Sequence, residues 1–146
     1  MGDFMRISTK GRYGLKAVVD IAASKEKCVS LKSVAARQGL SENYLEHIIA
    51  PLRKARIVSS VRGSLGGYFL ARSPQDLTVG DILRVLEGPL APIDCVLDEE
   101  TGACGSADCS DCATKSVWMT LFDKINEVVD SISIADLVVI IDKENE

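Results

Sequence analysis

Residues 41–71 read SENYLEHIIAPLRKARIVSSVRGSLGGYFLA. Two periods follow one another in this stretch. Ser41 is a helix cap, and Glu42 lies in the positive first turn behind it. Leu45, Ile48, Ile49 and Leu52 then keep a helical period to about Ala55. Pro51 lies inside that helix and removes one backbone donor, so a bend is expected near it, beyond the N-terminal turn. Residues 57–62 and 68–71 are two short β-prone runs around Gly63-Ser64-Leu65-Gly66-Gly67, the pattern of a hairpin. A hairpin directly after a groove-entering helix is a wing. Arg62 stands at its base, placed to enter a minor groove or to meet phosphate.

Upstream, Ser30 caps a short helix over residues 31–37, and Gly39 ends it by accepting the left-handed conformation that a helix stop often needs. Two helices joined by a tight Gly-containing turn form a helix-turn-helix, whose second helix fits a major groove about 12 Å wide. Residues 10–24 form a helix before it, with Leu15, Val18, Val19 and Ala22 on one face. Downstream, Thr78 and Asp81 form a capping box opening a fourth helix, which Gly88-Pro89 stops. Residues 90–113 have no convincing period. A long helix follows over residues 114–131, and Trp118, Leu121, Phe122, Ile125, Val128, Val129 and Ile132 recur at helical spacing. That stripe exceeds what a small winged domain needs and reads as a dimer interface, since helix-turn-helix proteins usually work as symmetric pairs. Ser133 caps a segment over residues 134–141 that packs back or swaps across the dimer, and the charged tail from Asp142 is expected to fray. The expected fold is mainly α with a small β-hairpin wing: a winged helix-turn-helix DNA-binding domain plus a long dimerisation helix. The domains are residues 1–88, a cysteine-rich loop over 89–113, and the dimerisation helix with the C-terminal segment over 114–146.

Charge divides the chain in the same way. Residues 1–73 hold thirteen Lys/Arg against five Asp/Glu, a net of +8, whereas residues 74–146 hold four against sixteen, a net of −12. The overall −4 conceals a basic module joined to an acidic one with another job. There is no apolar run of membrane-spanning length. Residues 1–12 lack the apolar region of a secretory signal, which places the protein in the cytoplasm; Met5 is a second candidate start. The expected partners are double-stranded operator DNA and a second copy of the chain, with no membrane and no small-molecule substrate. No nucleophile–base pair, phosphate loop or paired carboxylates stand out, and a lone His47 on a DNA-facing helix is a poor general base, so an enzyme is excluded. Cys28 reads as a small buried hydrophobe. Tyr44 either stacks on sugar or caps the core. The acidic residues around the loop match no calcium-loop pattern.

Four of the five cysteines fall within 18 residues, spaced Cys95-x8-Cys104-x4-Cys109-x2-Cys112. A disulfide framework is out of place in a reducing cytosol. Thiolates suit iron–sulfur clusters or zinc. A zinc ribbon prefers two separated knuckles, and only Cys109–Cys112 is one. The element from Cys104 matches the plant-ferredoxin loop spacing with a fourth Cys elsewhere. An iron–sulfur cluster, a zinc site and a thiol redox switch all remain open on composition.

The stretches MRISTKGRYG from Met5, SENYLE from Ser41, PLRKA from Pro51 and VRGSLGGY from Val61, with the cysteine element and Trp118, resemble the IscR-type iron–sulfur regulators of the bacterial Rrf family over nearly the whole chain. The resemblance implies a homodimeric winged-helix regulator that senses cluster status, redox or NO and controls iron–sulfur cluster assembly genes. It implies a 2Fe–2S cluster, favoured over 4Fe–4S, on Cys95, Cys104 and Cys112 with one weaker ligand. The histidine that supplies that ligand in similar proteins is matched here by Lys115, which cannot ligate, and Cys109 is the candidate replacement. An acidic first-helix ligand of NO-sensing relatives is matched by Arg12. The resemblance also implies base reading by Ser41, Asn43, Tyr44, Glu46 and Arg62, where Glu46 can accept from cytosine N4 yet repels phosphate. Candidate phosphate contacts are Arg6, Lys10, Arg12, Arg53 and Lys54. The alternative is a cluster-free winged-helix repressor sensing through zinc, thiol oxidation or a protein partner.

Overall fold

The computed structural model describes residues 6–97 and 112–146. Its elements run α1 (Thr9–Ala23), α2 (Leu31–Gln38), α3 (Glu42–Lys54), β1 (Val58–Val61), β2 (Gly67–Leu70), α4 (Val79–Glu87), a 3-10 turn (Asp94–Val96), α5 (Lys115–Ser131) and α6 (Ile134–Glu144). The mainly helical fold with a hairpin wing expected from the sequence is the one observed.

Short polar side chains set the helix starts. The hydroxyls of Ser8, Ser30 and Ser41 accept from the amides of Gly11, Ser33 and Tyr44, each giving one orphan N–H a partner. Because Ser8 is the cap, α1 starts one residue earlier than the apolar period alone indicates. Thr78–Asp81 and Ser133–Asp136 close reciprocal capping boxes on α4 and α6. The second box and Lys143 in the last turn support α6 to Glu144, so the tail expected to fray from Asp142 is helical for three more residues.

The core gathers one apolar face from almost every element: Val18 and Ile21 of α1, Val34 of α2, Leu45, Ile48, Ile49 and Leu52 of α3, Ile57 and Val58, Leu77, Ile82 and Leu86 of α4, and Ile134 of α6. The hairpin is antiparallel with Val58 opposite Leu70 and Val61 opposite Gly67. Val29 extends it, exchanging backbone bonds of 2.8 and 2.7 Å with Tyr68, so the segment before α2 ties the helix-turn-helix to the wing.

The C-terminal helix packs back onto α1 within the same chain. Val79 donates to Ile132 at 2.9 Å and Ile134 donates to Leu77 at 2.8 Å, which stitches the α5–α6 turn to the start of α4. Beside this seam α4 and α5 cross at Gly80, where a Cβ would collide with the Asp130 carboxylate and come within 2.8 Å of Arg84 Nη1. Over that contact Arg84 grips Asp130 through two bonds of 2.7 and 2.8 Å and bonds Asn126 Oδ1 at 2.6 Å. The Asp130 carboxylate raises the pKa of Arg84, and Arg84 lowers that of Asp130, each chiefly through their hydrogen bonds. Ile125 and Val129 of α5 also pack on Val79, Leu83 and Leu90, but no α5 residue is fully buried, and Val117, Leu121 and Val128 are 50%, 38% and 56% exposed.

Candidate nucleic-acid interface and cysteine loop

The α2–α3 pair is joined by Gly39, at φ 66°, and Leu40. Gly39 and Leu40 donate to Ala36 and Ala35 at 3.3 and 2.9 Å, closing a Schellman turn that aims α3 away from α2. Burial of Leu45, Ile48, Ile49 and Leu52 fixes the rotation of α3 about its own axis. Asn43, Tyr44, Glu46, His47, Arg53 and Lys54 are therefore turned to solvent. Ser41 is also exposed; its oxygen accepts the Tyr44 amide at 3.1 Å, which leaves its hydroxyl proton and one lone pair for an outside partner.

Tyr44 is exposed and does not cap the core; its ring meets Tyr13 of α1 edge-on, with centroids 6.5 Å apart at 83°. Lys16 Nζ stands 5.6 Å from the Tyr13 ring centroid. The first helix thereby holds an aromatic of the third, which was not legible from the sequence because the two are 31 positions apart. Arg6, Lys10 and Arg12 at the start of the chain are exposed as well.

Arg62 follows β1 directly and is exposed. The turn after it is closed by Gly66 donating to Gly63 at 3.0 Å and carries Leu65, 91% exposed, at its apex. Leu65 was not singled out in the sequence, although a large apolar side chain in an otherwise Gly/Ser turn was the available signal. Cys28 corrects the reading of a buried hydrophobe: it is half-buried, and its thiol donates to the Leu65 carbonyl at 3.2 Å. At Cys28 the segment before α2 meets the wing, and it is the next residue, Val29, that is buried in the core.

Of the four clustered cysteines, Cys104 and Cys109 lie outside the described residues. Cys95 is buried in the 3-10 turn, which packs on α5, and Cys112 is half-buried three residues before α5, with Sγ 3.4 Å from Thr114 Oγ1. Among the described residues no three His, Cys, Asp or Glu side chains come together as a metal site. The chemistry of the donor set nevertheless fits a soft metal centre, because cysteine sulfur is a soft ligand suited to iron–sulfur clusters and zinc. The loop start is also tied to the helices. Asn126 donates to the carbonyls of Leu90 and Phe122 at 3.3 and 2.8 Å while accepting from Arg84, so one side chain connects α4, α5 and the entry to the loop. No helix among the described residues is long and apolar enough to cross a membrane.

Residues 7–139 match the family model Rrf2, described as an iron-dependent transcriptional regulator. The chain is 43% identical over 143 residues to the HTH-type transcriptional regulator CymR of Bacillus subtilis, covering 97% of this chain and 96% of that one. The solved structure of CymR, titled the global cysteine regulator of B. subtilis, superposes with a TM-score of 0.76 at 40% identity, covering 92% of this chain and 96% of that one. The solved structure of T. potens IscR superposes with a TM-score of 0.72 at 48% identity, covering 97% and 88%.

Proposed function

The chain belongs to the Rrf2 family of transcriptional regulators, and on that premise we propose that it is a homodimeric DNA-binding regulator whose operator affinity is set by an iron–sulfur cluster on Cys95, Cys104, Cys109 and Cys112. One observation carries the reading: four thiols within 18 residues lie between α4, part of the basic winged module, and α5, which leaves Val117, Leu121 and Val128 exposed. A 2Fe–2S form suits four thiolates with the ferredoxin-like spacing.

Asn43, Tyr44 and Glu46 at the start of α3 and Arg62 at the wing read bases, with the Ser41 hydroxyl donating beside them. Arg6, Lys10, Arg53 and Lys54 meet phosphate. Val117, Leu121 and Val128 are buried against their counterparts in the second copy. Cys95 in the 3-10 turn and Cys112 before α5 would hold the cluster with Cys104 and Cys109, and it would supply a redox-sensitive centre between those two segments. Asn126 and Arg84 pass a change at the loop entry to α4 and α5 together, because their bonds are shared among all three. The spacing of the two reading helices in the dimer follows the α5 pair, and operator spacing selects among its settings.

The identity with CymR favours a second reading, a regulator without a cluster that senses through zinc, thiol oxidation or a protein partner. The two separate in one experiment. Wild type and Cys95→Ser are purified without oxygen, and binding is measured on duplexes enriched by the wild type from a random pool. The cluster reading expects iron and sulfide in the wild type, reduced in Cys95→Ser, together with distinct affinities or preferred sequences for the two proteins. Identical affinity and preference in both, or a difference with no iron in the wild type, would favour the cluster-free reading.

A further inference from the structure

The turn that ends α2 is built a second time at the end of α3. There Arg56 and Ile57 donate to Arg53 and Leu52, each at 3.0 Å, the same pair of bonds that Gly39 and Leu40 make. In both turns the residue in the left-handed region is fixed by those bonds, at φ 66° for Gly39 and φ 60° for Arg56. The second turn is firmly held, because Leu52 and Ile57 on either side of it are both buried in the core. Glycine occupies such a position without steric cost, whereas a side chain there is strained. Arg56 is the one non-glycine residue with positive φ among those described.

The fold gives nothing back for that strain. Arg56 is exposed and makes no ion pair or side-chain hydrogen bond among the described residues. It follows Arg53 and Lys54 at the junction of α3 and the wing, within the basic half of the chain. A strained residue persists where its side chain does work outside the fold, and what a solvated guanidinium in this basic run offers is a fork for phosphate. We infer that Arg56 is a DNA-phosphate contact of the α3–wing junction, held outward by a turn whose geometry calls for glycine. This rests on the DNA-binding reading and adds to it a residue whose effects on folding and on binding oppose each other.

The test uses the full chain, with binding to a random-sequence duplex of about 30 base pairs titrated against salt, and urea unfolding of the same samples. Arg56→Gly is expected to raise the unfolding midpoint while weakening binding about eightfold per protomer near 0.1 M salt, with the log–log salt slope reduced by about 0.9. Arg56→Ala keeps the strain and loses the charge, so its binding falls equally without the gain in stability. Arg56→Lys keeps the slope. Unchanged affinity and slope in Arg56→Gly, with the wild type still binding, would overturn the assignment of Arg56 alone. Absence of salt-dependent binding in the wild type would instead remove the DNA-binding reading and this contact with it.

Discussion

Breaking the fork between Arg84 and Asp130 tests whether α4 and α5 are coupled as a unit. The two bonds are 2.7 and 2.8 Å long, but the side chains remain 34% and 47% exposed, so solvent screens much of the attraction. An exposed pair usually contributes about 0.2–1 kcal/mol, and two-pronged geometry belongs at the top of that range. The bond from Arg84 to Asn126 adds about 0.5–1.5 kcal/mol to the single Arg84 substitution but cancels from the pairwise comparison. A cycle of Arg84→Met, Asp130→Asn and the double variant is therefore expected to give a coupling of about 0.5–1 kcal/mol, with Arg84→Met alone losing about 1–2 kcal/mol. Urea unfolding at one fixed protein concentration reads both. The pH dependence has a definite sign. Arg84 holds the Asp130 carboxyl below its ordinary pKa, so the stabilisation is present above the unfolded carboxylate value of about 3.9 and is lost as pH falls through the lower folded value. The advantage of wild type over Arg84→Met should thus shrink in acid. A coupling within about 0.2 kcal/mol of zero, or a gap equal at neutral pH and in acid beyond that loss, would refute the reasoning.

Ile134→Ala should cost about 2–5 kcal/mol, since the side chain is fully buried where α6 meets the winged core; a loss below about 1 kcal/mol in urea unfolding would show that α6 is not integral to it. Arg62→Ala should weaken operator binding by about 1–3 kcal/mol at fixed salt, and unchanged affinity would remove Arg62 from the interface. Cys109→Ala should abolish or destabilise the cluster, seen as lost visible absorbance and iron; full retention would give the fourth ligand position to another group.

Where local chemistry decides an element, the sequence was sufficient. Ser30, Ser41, Thr78 and Ser133 each cap the helix assigned to them, Gly39 ends α2, and the five-residue turn after Arg62 closes the wing. What depended on distant packing was not legible. Nothing near Tyr13 announces Tyr44, nothing near Cys28 announces the Leu65 carbonyl, and nothing near Gly80 announces Asp130 of α5. Arg56 is the instructive case. A helix stop was expected near Ala55, yet no residue there had the composition of a left-handed turn, because the position that adopts it is an arginine. At the candidate site, the exposed face of α3 followed from its apolar period, whereas Cys104 and Cys109 fall in a stretch of sequence without one.

The most direct test is the iron and acid-labile sulfide content of the chain purified without oxygen, with its visible spectrum. Iron and sulfide in equal amounts, about two of each per chain and with the absorption bands of a 2Fe–2S centre, is the result expected of a cluster held by Cys95, Cys104, Cys109 and Cys112. A colourless protein carrying zinc or no metal, even after attempted reconstitution, would contradict it and leave a winged-helix regulator that senses by other means.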